Sequence, residues 1–153
     1  MWLLKNKVLQ LVVIMLISLA VYWPGMTGGF YFDDEWNILQ NAALQIDDLS
    51  VASINNAAAS GRAGPLGRPI AMASFAINYY FSGFDPFIFK LINLIIHLIT
   101  SLGVFFLSMG LASLTSPTNN KNYQYLALLT TTFWLLHPLN NMFIPTILMY
   151  MLL

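Results

Sequence analysis

FIFKLINLIIHLITSLGVFFLSMGLASL, residues 87–114, is the stretch on which the fold turns. A single charge, Lys90, interrupts 28 residues, more than the about 20 that a helix needs to cross the hydrocarbon core of a bilayer. Asp85 and Pro86 stand directly before it, a helix cap followed by a proline suited to a first turn. The chain as a whole has a composition to match. It holds 58% apolar and only 8% charged residues, with a mean hydropathy of +0.70, where soluble domains carry about a quarter charged residues. Six Lys and Arg balance six Asp and Glu, so there is no basic field to hold a nucleic-acid backbone, and nucleic acid is not expected as a partner. With 0 Cys, disulfides, thiolate metal sites and cysteine nucleophiles are excluded.

Working outward from this span, residues 1–23 form a cytoplasmic N-terminus and a first transmembrane helix. Val8 to Trp23 carries no charge and reaches about 24 Å. Ser18-Leu19-Ala20 offers a signal peptidase small residues, but the apolar run continues through Val21, Tyr22 and Trp23 into an interfacial aromatic pair, as an uncleaved signal anchor does. Residues 24–86 hold all six acids, Arg62, Arg68 and most of the glycines, and read as an extracytoplasmic loop. The pattern predicts two short interfacial helices there, over 49–60 and 68–81, separated by G-R-A-G-P-L-G, with Tyr79, Tyr80 and Phe81 at headgroup depth. After the second span (87–114) come a cytoplasmic turn (115–122), a third span (123–139) and the start of a truncated fourth (140–153). Lys5, Lys7 and Lys121 orient the chain with the N-terminus in the cytoplasm and the acidic loop outside. The expected fold is thus an all-α integral membrane protein of three transmembrane helices and an incomplete fourth, with the bilayer as its first partner.

Four constellations can carry chemistry. In F-Y-F-D-D-E-W-N-I, residues 30–38, adjacent carboxylates can split their titrations, one serving as a base while another orients; a solvated acidic turn is the plainer reading. In G-R-P-I, residues 67–70, Arg68 can clamp a phosphate bidentately, or pair with the acids or lipid headgroups. Lys90, Asn93, His97 and Ser101 recur every three or four residues and form a polar stripe inside the membrane, suited to helix packing or a partner membrane subunit and, at His97, to ligand contact or a proton relay, with Lys90 near enough to the outer end to snorkel. His137, in F-W-L-L-H-P-L, falls at a proline-broken helix end on the side of Asp33 and Asp34, where substrate contact and simple interface anchoring both fit. Two histidines exclude a histidine-rich metal centre, and no metal ligand is assigned.

Taken in order, F-x-F-D-D-x-x-N-I, G-R-P-I-A-M-A-S-F-A-I-N-Y, G-F-D-P-F, F-K-L-I-N-L-I-I-H and W-L-L-H-P-L resemble the amino-terminal region of multi-spanning GT-C glycosyltransferases. The likeness is to the protein O-mannosyltransferase-like members that carry tetratricopeptide repeats, and it runs from about Phe30 to Leu139. It implies a transferase that moves a sugar from a polyprenyl-phosphate donor to an extracytoplasmic acceptor, such as a protein Ser or Thr hydroxyl, in a bacterial inner membrane. On that likeness Asp33 would be the base and Asp34 would orient the site, with Asp34-Glu35 as the alternative register. It implies no firm cofactor beyond the lipid-linked sugar and does not specify a divalent metal. Two departures stand out: the second-span motif has Lys90 where the family usually has His, and the fourth span is cut short, so the isolated chain is expected to be inactive or to need a partner. A reading from another class is a small non-catalytic subunit that stabilises a partner through the polar stripe.

Overall fold

The computed structural model describes residues 7–30, 34–62, 67–115 and 122–137. Among them every regular element is helical: α1 (Lys7–Tyr22), α2 (Val51–Ala59), α3 (Pro69–Ser82), α4 (Pro86–Thr115) and α5 (Asn122–Leu136). Shorter turns of 3-10 type fall at Trp23–Thr27 and Ala42–Leu44, and one of π type at Glu35–Leu39. Two helical stretches, Val8–Thr27 and Pro86–Leu114, are long and apolar enough to cross a membrane. The first runs four residues past the expected boundary at Trp23, because Pro24 lacks an N–H and fits the opening of a 3-10 turn. The expected third span is described through residue 137, and its helix, 15 residues or about 22 Å, is shorter than the about 30 Å hydrocarbon core. The truncated fourth helix lies outside the described residues.

The chain divides into two compact units. In the first, which takes residues 7–24 and 93–137, Leu11, Ile14 and Met15 of α1 meet Ala127 and Leu128 of α5 and Leu102, Phe105 and Met109 of α4. Their spacing of three, four and seven is the period of one helix face. The opposite face of α1, Val12, Val13, Leu16, Ile17 and Val21, stays exposed, as a lipid-facing helix requires. Leu11 shares its cluster with Ala127, while Tyr22, eleven residues on, donates its hydroxyl to the Leu135 carbonyl. Thus α1 and α5 run parallel, and α4, with Phe105 beside the former pair and His97 beside the latter, runs antiparallel to both. Tyr22 is therefore buried rather than interfacial; only Trp23 of that aromatic pair is exposed.

The second unit takes residues 25–92 of the described chain, with α2 and α3 packed as a hairpin. Its core is Ile38, Leu44, Ile46, Ala57, Ala71, Met72, Phe75, Ala76 and Phe89, and the three alanines let the two helices approach closely. Local chemistry sets each helix start. The Ser50 Oγ accepts from the Ser53 N–H (3.2 Å) to cap α2, and Pro69 opens α3. The Asp85 Oδ1 accepts from the Phe87 N–H (2.9 Å) at the start of α4. Gly83, at φ 57°, ends α3 in a backbone conformation that favours glycine. Both loop helices thus form within two residues of their expected bounds, while Tyr79 turns inward onto Phe84 instead of joining Tyr80 and Phe81 outside.

Candidate functional site

The site lies within the second unit, where W-P-G-M-T-G-G leaves α1 and the acidic motif meets the start of α4. Beyond the helix the carbonyls of Gly25 and Gly28 need donors, and Lys90 supplies them: its Nζ donates to the Gly28 carbonyl (2.6 Å) and to the Gly25 carbonyl (3.1 Å). Two of the three ammonium protons are thereby engaged. Asp34, 1% exposed, acts electrostatically on the same ammonium, so that opposite charges are enclosed together. Lys90 is 0% exposed. Its position near the helix end predicts snorkelling, but it is buried instead, because the two carbonyls replace water that its charge would otherwise seek. Phe89 beside it is edge-on to Phe30, and Phe30 is edge-on to Phe84, which closes an aromatic wall around the start of α4.

The acidic motif owes its inward and outward pattern to helical spacing. Asp34, Asn37 and Ile38 are buried, whereas Glu35 and Trp36 are exposed, an i, i+3, i+4 set on the short Glu35–Leu39 turn. Glu35 accepts a hydrogen bond from the Gln40 side chain (3.1 Å). Just beyond, Asn41 accepts from the Ala43 N–H and donates to the Ser60 Oγ (2.9 Å), which ties the motif's far end to the end of α2. Of the two expected catalytic acids, Asp33 lies outside the described residues. Asp34 is not part of a solvated turn: at 1% exposure it is suited to positioning rather than to touching an acceptor.

The other expected site residues are dispersed. Arg68 is half-buried at the start of α3 with φ 48°, a left-handed conformation uncommon outside glycine. The polar stripe of α4 is divided between the units. In the first unit His97 places Nε2 3.4 Å from the Leu135 carbonyl, stacks on Trp134 and meets the Tyr22 ring edge-on. Leu135 is in the last turn of α5, where carbonyls have no partner within the helix, so Tyr22 and His97 satisfy an end that the sequence leaves open. Ser101 donates to its own helix at the Leu98 carbonyl, and Asn93 is buried. These are packing contacts. His137 is exposed and lines, with Leu129, Thr132, Phe133 and Leu136, an open apolar groove of about 500 Å³. Among the described residues no group of three His, Asp or Glu side chains gathers as a metal site.

Sequence reasoning missed the Gly25 and Gly28 carbonyls and the Leu135 carbonyl, since backbone acceptors leave no mark in side-chain identity. The glycines and Pro24 beyond the first span were the available signal. Compared with protein-family models, with curated proteins and with solved structures, the chain matches none.

Proposed function

We propose that this chain is the acceptor-side, base-bearing part of a membrane glycosyltransferase that uses a polyprenyl-phosphate-linked sugar. The observation that carries the proposal is the enclosed acidic motif: Asp34 is 1% exposed and its charge acts on the buried Lys90 ammonium, which is more than a solvated turn requires. In this reading Asp33 takes the proton of an acceptor hydroxyl as it attacks the anomeric carbon, the polyprenyl phosphate departs, and Asp34 orients the motif. Arg68 and His137 remain the candidates for donor-phosphate or substrate contact. Three helices cross the inner membrane, with Lys5, Lys7 and Lys121 in the cytoplasm and the acidic loop, residues 24–86, outside. Further support is the order of the five motifs that resemble GT-C transferases.

The alternative, a non-catalytic subunit that holds a partner through the polar stripe, draws less support, because Lys90, Asn93 and Ser101 are buried within the chain itself and His97 is engaged with Leu135. The test is made on membranes in which the complete reading frame is expressed. Radiolabelled polyprenyl-phosphate mannose and a Ser/Thr-containing acceptor peptide serve as probes. Label is expected in the peptide with the lipid-linked donor and not with a nucleotide sugar. Equal label from the nucleotide sugar, or none from the lipid donor, would overturn the proposal.

A further inference from the structure

In the sequence only Tyr31, Phe32 and Asp33 stand between Phe30 and Asp34, and the chain on either side of them is held at one turn of α4. On the near side Phe30 lies edge-on to Phe89, with ring centroids 5.6 Å apart, and two residues earlier the Gly28 carbonyl accepts from the Lys90 Nζ (2.6 Å). On the far side Asp34 is buried, and Ile38, on the Glu35–Leu39 turn, belongs to the same core as Phe89. Fixing both ends of a short segment narrows what lies between them.

The holds differ in kind. Ring contacts among Phe30, Phe84 and Phe89 are apolar and tolerate sliding, whereas the two hydrogen bonds from Lys90 fix direction as well as distance. Stability alone gives little reason for an ammonium here. Gly25 and Gly28 are partly exposed, so water can serve their carbonyls, and a buried charge often stabilises no more than an apolar side chain of the same volume. Lys90 is nevertheless fully buried, with the charge of buried Asp34 acting on it. What its ammonium adds is a defined distance between α4 and the linker that leads into the acidic motif.

We infer that Lys90 is a positioning residue for the transfer reaction: it ties Gly25 and Gly28 to α4 and so sets the place of Asp33 before an acceptor arrives. Lys90 touches no substrate in this role. The inference rests on the glycosyltransferase reading for the identity of the base, while the tie itself is measured without it.

Membranes expressing the complete reading frame are compared as the native chain, as Lys90→Met, and as Lys90→Met with Asp34→Asn, which removes the charge left unpaired by the single change. Amide exchange read by mass spectrometry reports the tie. Over residues 25–30 both variants should exchange several-fold faster than the native chain, while α1 and α5 keep their protection. Native exchange over 25–30 in the double variant would overturn the inference, since Lys90 would then act through stability alone; so would exchange that rises equally in α1 and α5. In the mannose-transfer assay, kcat with Lys90→Met should fall up to about a hundredfold, the effect of misplacing a reacting group by about 1 Å, while the KM for the peptide holds. Lys90→Arg keeps donors for both carbonyls and should recover part of that loss. An unchanged kcat, or a raised KM with native kcat, would overturn the positioning role. Absence of transfer in native membranes counts against the glycosyltransferase reading, and exchange over 25–30 then decides by itself whether Lys90 holds the linker.

Discussion

Lys90 carries the most consequence of any single residue, because its aliphatic stem sits in an apolar segment while its ammonium donates to two backbone carbonyls and feels the charge of buried Asp34. Removing one member of such a pair leaves the other charge enclosed without a counterpart, at a cost of about 3–5 kcal/mol. Lys90→Met should therefore lower the thermal midpoint of the detergent-solubilised chain sharply, and adding Asp34→Asn should recover a large part of the loss. A double variant no more stable than Lys90→Met would show that the charges are not coupled. Tyr22→Phe tests the other anchored carbonyl. Losing the hydroxyl on Leu135 should cost about 0.5–1.5 kcal/mol in the same melt, and an unchanged midpoint would remove Tyr22 from the set of helix ties. At this scale the sequence was partly legible. The spacing of Asn93, His97 and Ser101 on one α4 face foretold burial, but Lys90 looked like a snorkelling residue, because nothing in its neighbours reveals that Gly25 and Gly28 turn their carbonyls toward it.

Among the elements, α2 is the one held most by local chemistry. Its cap is the Ser50 hydroxyl on the Ser53 N–H, and Ser50→Ala should destabilise the α2 start by about 1 kcal/mol, seen as faster amide exchange over 51–54. Exchange unchanged from the native chain would contradict that role. Asp48 adds a pH dependence. Hydrogen bonds from the Ser53 side chain and from the backbone and side chain of Ser50 hold its carboxyl below the ordinary value of 3.8. A carboxyl depressed in the folded chain contributes stability that is present above its unfolded value and is lost as pH falls through the lower folded one. Protection factors at the α2 start should thus be flat above about pH 4 and fall on further acidification; protection that rises there would reverse the sign. Two helix starts were readable because Pro69 and Asp85-Pro86 act within a turn of where they stand, whereas the Ser50 cap shifts the start of α2 from the expected Leu49 to Val51. The inward turn of Tyr79 onto Phe84 was not, since it depends on how α3 meets residues after Gly83.

For the molecule as a whole, hydropathy made the all-helical class and the two long apolar helices plain, because lipid demands a length and a composition that any sequence must display. The division into two units is less visible: it falls at Asn93, inside a single unbroken apolar helix, where neither glycine nor proline marks it. Function is least legible of all, since it rests on Asp33 and on motifs whose meaning depends on partners in space. A base role for Asp33 has a defined size: general-base catalysis contributes about 10²–10⁴-fold, so Asp33→Asn should reduce the chemical step by that much while the protein keeps its fold and membrane insertion. Asp47, exposed and remote from the acidic motif in sequence, is the matched control. The deciding measurement is the initial rate of mannose transfer from polyprenyl-phosphate mannose to a Ser/Thr peptide, in membranes expressing the complete reading frame with Asp33→Asn or Asp47→Asn. Loss of at least about a hundredfold with Asp33→Asn, beside an undiminished rate with Asp47→Asn, is the expected result; a native rate with Asp33→Asn would contradict the proposed function.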